Sequence, residues 1–336
     1  MTDLTRRVVT FGEMLLRFSP PARQQLFESP HFHTWWGGAE ANVAAGLASL
    51  GTDAQYVTVL PTNAIGDAAL RALDDVQVDA SRVLRRDGRM GVYFVEPGAG
   101  DRPLRVVYDR AHSAFAGQTG EEFDWREILA SARWLHLTGI SAALGDGPLR
   151  NLHAALDAAL AAGVPVSLDL NFRPALWIGR DPMLIMQALV KRVSLLIANP
   201  GAIEVMLGLR TAGTAPESRD AIAATARTLH DRYGIPQIAI TQREVFSASR
   251  HAWQAYLWDA ASGAMPHGGR YEIDIVDRAG GGDAFVAGLL HRLLENAPVA
   301  DAIRFATAAG AFKLGVPGDM SCASVGDVET LMAAGA

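Results

Sequence analysis

Short apolar runs alternate with longer amphipathic or small-residue stretches along most of this chain, and that alternation sets the expected fold. Val8 to Phe11 reads as a first strand closed by Gly12. Gly37-Gly38 opens a helix running through Asn42 to Ala48, whose small residues allow close packing on a sheet. Residues 54–60 read as a strand and Asn63 to Leu73 as a helix. From Arg133 the rhythm is regular. Trp134 to Leu137, Val164 to Leu170, Leu195 to Ala198 and Ile238 to Thr241 read as strands. Gly147 to Ala161, Pro182 to Arg192, Pro200 to Leu207 and Arg219 to Tyr233 read as the helices between them. The order predicts a mostly parallel sheet covered on both faces, with ligands at the carboxyl ends of its strands. Val299 to Leu314 and Val325 to Met332 close the chain as helices.

Two segments break the rhythm. Residues 13–36 lack a helical period and form an excursion, either a polar loop or an edge strand. Gly91 to Glu96 and Leu104 to Tyr108 are strand-like runs joined by Pro97 to Asp101, which reads as a hairpin. The hairpin is expected to belong to a second, small sheet apart from the main one. Tyr93, Tyr108 and Arg110 would project from it. Two phenols and a guanidinium suit hydroxyls and a carboxylate, though aromatic packing beside a solvated arginine has the same pattern.

The stretch Ile273 to Leu290 concentrates the chemistry. A β-branched run stops at Asp277; Gly280, Gly281 and Gly282 follow, then Asp283 and an apolar helical pattern. Strand end, tight turn and helix start are expected. Glycines let a ligand approach the backbone, and the first helical turn offers free N–H groups to an anion. Asp283 is placed to take a proton from a hydroxyl; as a plain N-cap it would look the same. Asn171, Arg173, Asn199, Thr241 and the triglycine all fall at expected strand ends.

Composition narrows the setting. The 336 residues are 49% hydrophobic and carry a net charge of −6, enough for one large core and unsuited to a general nucleic-acid surface. Cys322 is the single cysteine, which excludes an internal disulfide and a cysteine-based zinc site. His31 and His33 stand two apart without nearby acidic or cysteine partners, and we do not read them as a metal site. The N-terminus enters the first strand with no signal-like apolar segment, and no apolar run is long enough to span a membrane. A cytoplasmic protein is expected. Neither lysine, Lys191 or Lys313, lies in a phosphate-loop motif, and the dinucleotide fingerprint is absent.

Gly37-Gly38 with Asn42, and Asp277 to Gly288, resemble the two signatures of the ribokinase-like (PfkB) carbohydrate kinases, and the resemblance covers nearly the whole chain. Within that family, Tyr93 to Glu96, Arg102-Pro103, Val107 to Arg110 with Ser113-Ala114, Asp169 to Trp177 and Val316 to Asp319 are most similar to the kinases of 2-keto-3-deoxygluconate. The resemblance implies an α/β three-layer sandwich, one domain over 1–336 with lid segments near 13–36 and 90–112. It implies transfer of the ATP γ-phosphoryl group to a primary sugar hydroxyl. Asp283 would be the base and Gly280 to Gly282 the anion hole. Gly38, Asn42, Tyr93, Tyr108, Arg110, Arg173 and Asp319 would hold the sugar acid. Asn171, Asn199, Thr241, Gln242, Arg243, Gly280 and Gly282 would meet ATP. Mg²⁺ is implied, with Glu204 as an indirect contributor; monovalent-cation use is left open. A homo-oligomer is expected, with no nucleic-acid or membrane partner.

Four positions depart from the family pattern. Ala202 stands where the N-x-x-E motif has its Glu. Arg243 and Phe246 replace the glycines of the nucleotide loop. Arg278 replaces the usual Thr. The departures gather on the nucleotide side. They keep two alternatives alive, a kinase of another sugar such as fructose, ribose or a nucleoside, and a catalytically weak sugar-acid-binding protein.

Overall fold

The computed structural model describes residues 7–21, 24–28, 30–98, 100, 102–210 and 217–335. The first six residues of the N-terminal stretch, and Ala99 and Asp101 of the expected hairpin connection, lie outside the described residues. Strand β1 (Val8–Phe11) leads into β2 (Leu15–Ser19) and β3 (His33–Gly37). Next come β4 (Ala54–Pro61), β5 (Val83–Arg86), β6 (Gly91–Glu96) and β7 (Arg105–Asp109). The C-terminal part carries β8 (Trp134–Thr138), β9 (Val166–Asp169), β10 (Leu195–Ala198), β11 (Gln237–Ser247), β12 (Arg250–Asp259) and β13 (His267–Asp274).

Nine strands form one sheet in the order β13-β12-β11-β10-β9-β8-β1-β4-β5. It is parallel from β5 to β11; β12 and β13 add on as antiparallel edge strands. The alternation in β1 shows why both faces are covered. Val9 and Phe11 point into one apolar cluster, with helices Asp146–Ala162, Pro182–Leu189, Pro200–Leu207 and Arg219–Tyr233 above it. Val8 points into the other, under helices Ala39–Ser49, Ala64–Asp75, Gly281–Leu294 and Val299–Leu314. Phe11 is fully buried against Phe115 and Trp125, at 5.3 and 5.1 Å between ring centroids. Burial of such a ring contributes about 3 kcal/mol.

The two interruptions do join. Strands β3-β2-β6-β7 make a separate four-stranded sheet, with β2 and β6 parallel and the other pairs antiparallel. Residues 13–36 thus supply two paired strands rather than a polar loop. Leu15, Tyr93 and Val95 form its small apolar cluster. The sheet covers the cleft as a lid, and its far loop meets the β11–β12 turn, where the Ala248 amide donates to the Gly100 carbonyl at 3.0 Å.

Two expectations at the strand ends are corrected. The strand expected to stop at Thr241 continues to Ser247, because no glycine or proline interrupts 237–247 and β12 pairs along its length. The run expected to end at Asp277 ends at Asp274, on an antiparallel edge strand, so the triglycine does not follow a parallel strand. The short strand β5, β12 and helices Trp125–Leu129 and Gly139–Ala143 are further elements that the apolar pattern did not single out. None of the helices among the described residues is long and apolar enough to cross a membrane.

Candidate active site

The floor of the cleft is the start of helix Gly281–Leu294. Its N-cap is Gly280, at φ 76°, so the capping role open to Asp283 on sequence grounds falls to a glycine. A Cβ on Gly280 would stand 1.8 Å from the Asp319 carbonyl oxygen, which only glycine avoids. A Cβ on Gly282 would meet nothing within 4 Å, because that backbone faces the open cleft. Asp283 sits in the first turn, and its Oδ2 accepts a hydrogen bond of 2.7 Å from Asn42 Nδ2. Burial raises its pKa to about 7, the Asn42 hydrogen bond opposes the rise, and the charge of Asp169 adds to it. A carboxylate balanced near neutrality is suited to accept a proton.

On the lid side lies a cavity of about 380 Å³, lined by Gly38, Asn42, Tyr93, Tyr108, Arg110, Arg173, Asp283 and Asp319 among others. All seven residues expected to hold the sugar acid therefore meet in one place. Their engagements differ. Tyr93 donates its hydroxyl to Asp319, and Arg17 donates to the other oxygen of Asp319 at 2.8 Å. Arg110 is buried and ion-paired with Glu13, and its guanidinium lies 5.8 Å from the Tyr108 ring centroid. Among the described residues Arg173 makes only a 3.4 Å bond to the Phe172 carbonyl, so its guanidinium is the less committed of the two arginines. Glu13 and Arg17 were not legible as site residues. Arg17 bridges Asp319 and Asp277, both at 2.8 Å, while Asp277 also accepts from the amides of Ala279 and Gly318. Burial alone would lower the Arg17 pKa; the two carboxylates outweigh it and raise it. Lid strand β2 is thereby tied to the glycine turn. Glu40, buried in the same wall and bonded by Thr138 and Ser141, has its pKa raised to about 7 by burial.

A second cavity of about 550 Å³ opens on the other side of Asp283. Asn171, Asn199, Thr241, Gln242, Arg243, Glu204, Gly280 and Gly282 all line it. Asn171 adopts φ 41°, and its amide donates to Asp169 at 2.9 Å. Asn199 caps helix Pro200–Leu207 through the Ala202 amide at 3.0 Å. Gln242 is buried, donating to the Glu217 carbonyl and accepting from Gln254. Its side chain is thus used within the protein. Ala202 is packed in the core, whereas Glu204 is exposed toward the cavity. Arg243 and Arg278 line both cavities.

Comparison with known proteins identifies the family. Residues 5–325 match the model of the pfkB family carbohydrate kinases. The crystal structure of a 2-dehydro-3-deoxygluconokinase from Thermotoga maritima superposes with a TM-score of 0.94 at 41% identity, covering 98% of each chain. A 2-dehydro-3-deoxygalactonokinase of Haloferax volcanii is 30% identical over 332 residues, 99% of this chain and 98% of its own. A 2-dehydro-3-deoxygluconokinase of Bacillus subtilis is 28% identical over 315 residues, 93% of this chain and 90% of its own. With a cleft built around one carboxylate at a glycine-started helix, and a family match spanning almost its full length, the chain belongs to the PfkB family of carbohydrate kinases, phosphotransferases with an alcohol group as acceptor.

Proposed function

We propose that this kinase phosphorylates 2-keto-3-deoxygluconate, or its galactonate epimer, on the primary hydroxyl. The observation that carries the reading is the position of Asp283, which lines both cavities and is held by Asn42. A sugar acid in the lid-side cavity would bring its hydroxyl to Asp283, and ATP in the second would bring its γ-phosphorus to the same point. The hydroxyl oxygen bonds to phosphorus, the bond to the bridging oxygen breaks with its electron pair going to ADP, and the hydroxyl proton passes to Asp283. Gly280 to Gly282 would direct helix N–H groups at the phosphoryl oxygens. Arg173 and the Tyr93–Tyr108 pair, stacked at 5.9 Å, suit a carboxylate and hydroxyls. The names of the Thermotoga, Haloferax and Bacillus relatives point the same way.

The nucleotide-side carboxylates Asp169, Glu204 and Glu217 are hard oxygen donors of the kind Mg²⁺ takes. No three acids, histidines or cysteines among the described residues cluster closely enough to hold a metal themselves. The donor set therefore fits an ion carried by the nucleotide phosphates, whose bound water Asp169 and Glu204 would order. Such an ion supplies charge neutralisation for the phosphates. A second copy of the chain is proposed to pack on the outer lid face, where Phe27 is 72% exposed and Val107 is partly bare.

An ADP-release assay with Mg-ATP across sugar acids and neutral sugars tests the assignment. Turnover of 2-keto-3-deoxy sugar acids at least about 10²-fold more efficient than of fructose or ribose is expected, since lost pairing with buried polar groups discriminates on that scale or above. Preference for a neutral sugar would replace the assignment. Sugar-acid binding without turnover would make the protein a binder.

A further inference from the structure

Six residues line both cavities: Arg173, Arg243, Arg278, Ala279, Gly280 and Asp283. They mark the junction through which any group must pass from one ligand to the other. Three of the six are arginines. None of the three has an ion pair with a carboxylate among the described residues, whereas the buried arginines of the site, Arg17 and Arg110, are paired. Asp277, the acid beside Arg278 in sequence, is taken by Arg17 and by two backbone amides. Arg278 Nε is buried with no hydrogen-bond partner.

The surroundings sharpen the contrast. Arg243 keeps solvent access at the cleft mouth, yet desolvation and then the charges of Arg278 and Arg173 lower its pKa to about 10. Arg278 is lowered by burial and then by Arg173. Buried His251 beside them is held neutral, its pKa lowered to about 4 by burial, then by Arg278 and Arg243. Like charges gathered without a counter-ion repel one another, the more so as water is excluded. A fold keeps such a group where an anion completes it, and guanidinium forks match phosphoryl oxygens. The start of helix Gly281–Leu294 adds its N–H groups from below.

We propose that Arg243 and Arg278 form a guanidinium clamp that holds the phosphoryl group in transit between ATP and the sugar acid. This rests on the kinase reading above and extends it to two residues at which the chain departs from the usual family pattern. Both stand where that pattern has Gly or Thr. Through the transfer, charge accumulates on the equatorial and bridging oxygens. Donors fixed at the junction stabilise that charge more than the ground state, so their effect falls on kcat.

The test compares wild type with Arg243→Gln, Arg278→Gln and Arg278→Lys. Each glutamine variant is expected to lose about 10²–10³-fold in kcat while the KM for sugar acid changes less than about threefold, and lysine at 278 should restore part of the loss. An unchanged kcat in both glutamine variants overturns the clamp. So does a raised sugar-acid KM with collapsed preference over neutral hexoses, which would assign these arginines to the substrate carboxylate. Calorimetry with inorganic phosphate separates the clamp from the kinase reading. Wild type should bind phosphate and the double glutamine variant should not, whether or not any sugar acid is turned over. Equal binding by both overturns the proposal. Arg243 lies on the exposed side of β11, so Arg243→Gln carries the test if the Arg278 variants fail to fold.

Discussion

Asn42 Nδ2 donates to Asp283 Oδ2 at 2.7 Å across 241 residues of sequence, joining the two glycine-rich motifs at one carboxylate. The donor favours the ionised form, against burial, which favours the protonated one. Removing it should leave burial opposed by the weaker pull of the Arg173 charge. Asn42→Ala is expected to move the acid limb of the pH–rate profile to higher pH, so that turnover falls far more at about pH 6 than at about pH 9. A uniform loss at every pH would mean that Asn42 acts on substrate instead.

Asp283 itself should show in both rate and stability. Asp283→Asn is expected to cut turnover about 10²–10⁴-fold, as loss of a general base does, while sugar-acid binding persists. Its pKa is raised from 3.8 to about 7, so the folded state holds the proton better than the unfolded chain. The stability from that proton is present below about pH 3.8 and is lost as pH rises through about 7. The amide that replaces the carboxyl does not titrate and loses nothing over that range. The variant's Tm should therefore match wild type near the acid end and exceed it at about pH 8. Equal pH dependence in scanning calorimetry would refute the shift.

Arg17 fastens the lid. Its guanidinium lies between Asp277 and Asp319, three groups that are almost wholly buried. Arg17→Met would strand two carboxylates away from water, and the expected cost is about 3–5 kcal/mol. Asp319 would also stop orienting Tyr93, so the KM for sugar acid should rise along with the loss of stability. Urea unfolding beside steady-state kinetics measures both, and an unchanged KM would confine Arg17 to a structural role.

How much of this was readable beforehand depends on how far apart the partners lie in the chain. The parallel sheet was legible because each strand is a short apolar run between capped helices, as at Leu195–Ala198 followed by Asn199-Pro200. The triglycine and Asp283 were legible because their local pattern has few other uses. Strand β12 was not, since Arg250, His251 and Gln254 dilute its apolar character until β11 and β13 pair on either side. The Arg17–Asp319 contact spans 302 residues, and nothing near Arg17 in sequence distinguishes it from a solvated arginine. Arg110 shows the converse. Its type suggested a free carboxylate reader, and only the fold reveals Glu13 beside it.

Gly282 offers a change that separates stability from function. A Cβ there meets nothing within 4 Å, and the residue lies in the first turn of a helix, where alanine is preferred over glycine by up to about 1 kcal/mol. Gly282→Ala should fold at least as well as wild type. The added methyl would project into the nucleotide-side cavity, so the KM for ATP should rise while sugar-acid binding stays constant. An unaltered ATP KM would mean that phosphate does not approach this backbone.

The nucleotide side carries the last expectation. Where the family pattern has a glycine loop, Thr241 to Ser247 continue as a strand paired to β12, and side chains rather than bare backbone face the cleft. Gln242 is committed to Glu217 and Gln254, and Ala202 offers no carboxylate to order metal-bound water. What remains for the phosphates is largely charge, from Arg173, Arg243 and Arg278. Charge at an open cleft is screened by salt, with a Debye length of about 10 Å at 0.1 M and about 3 Å at 1 M. Binding of a non-hydrolysable ATP analogue should therefore be weak and should weaken further, by about tenfold, between low and high salt. Calorimetry with and without Mg²⁺ reads this directly. Tight, salt-insensitive binding would show that backbone amides or Glu204 take the place of the missing loop, and that the arginines serve transfer rather than affinity.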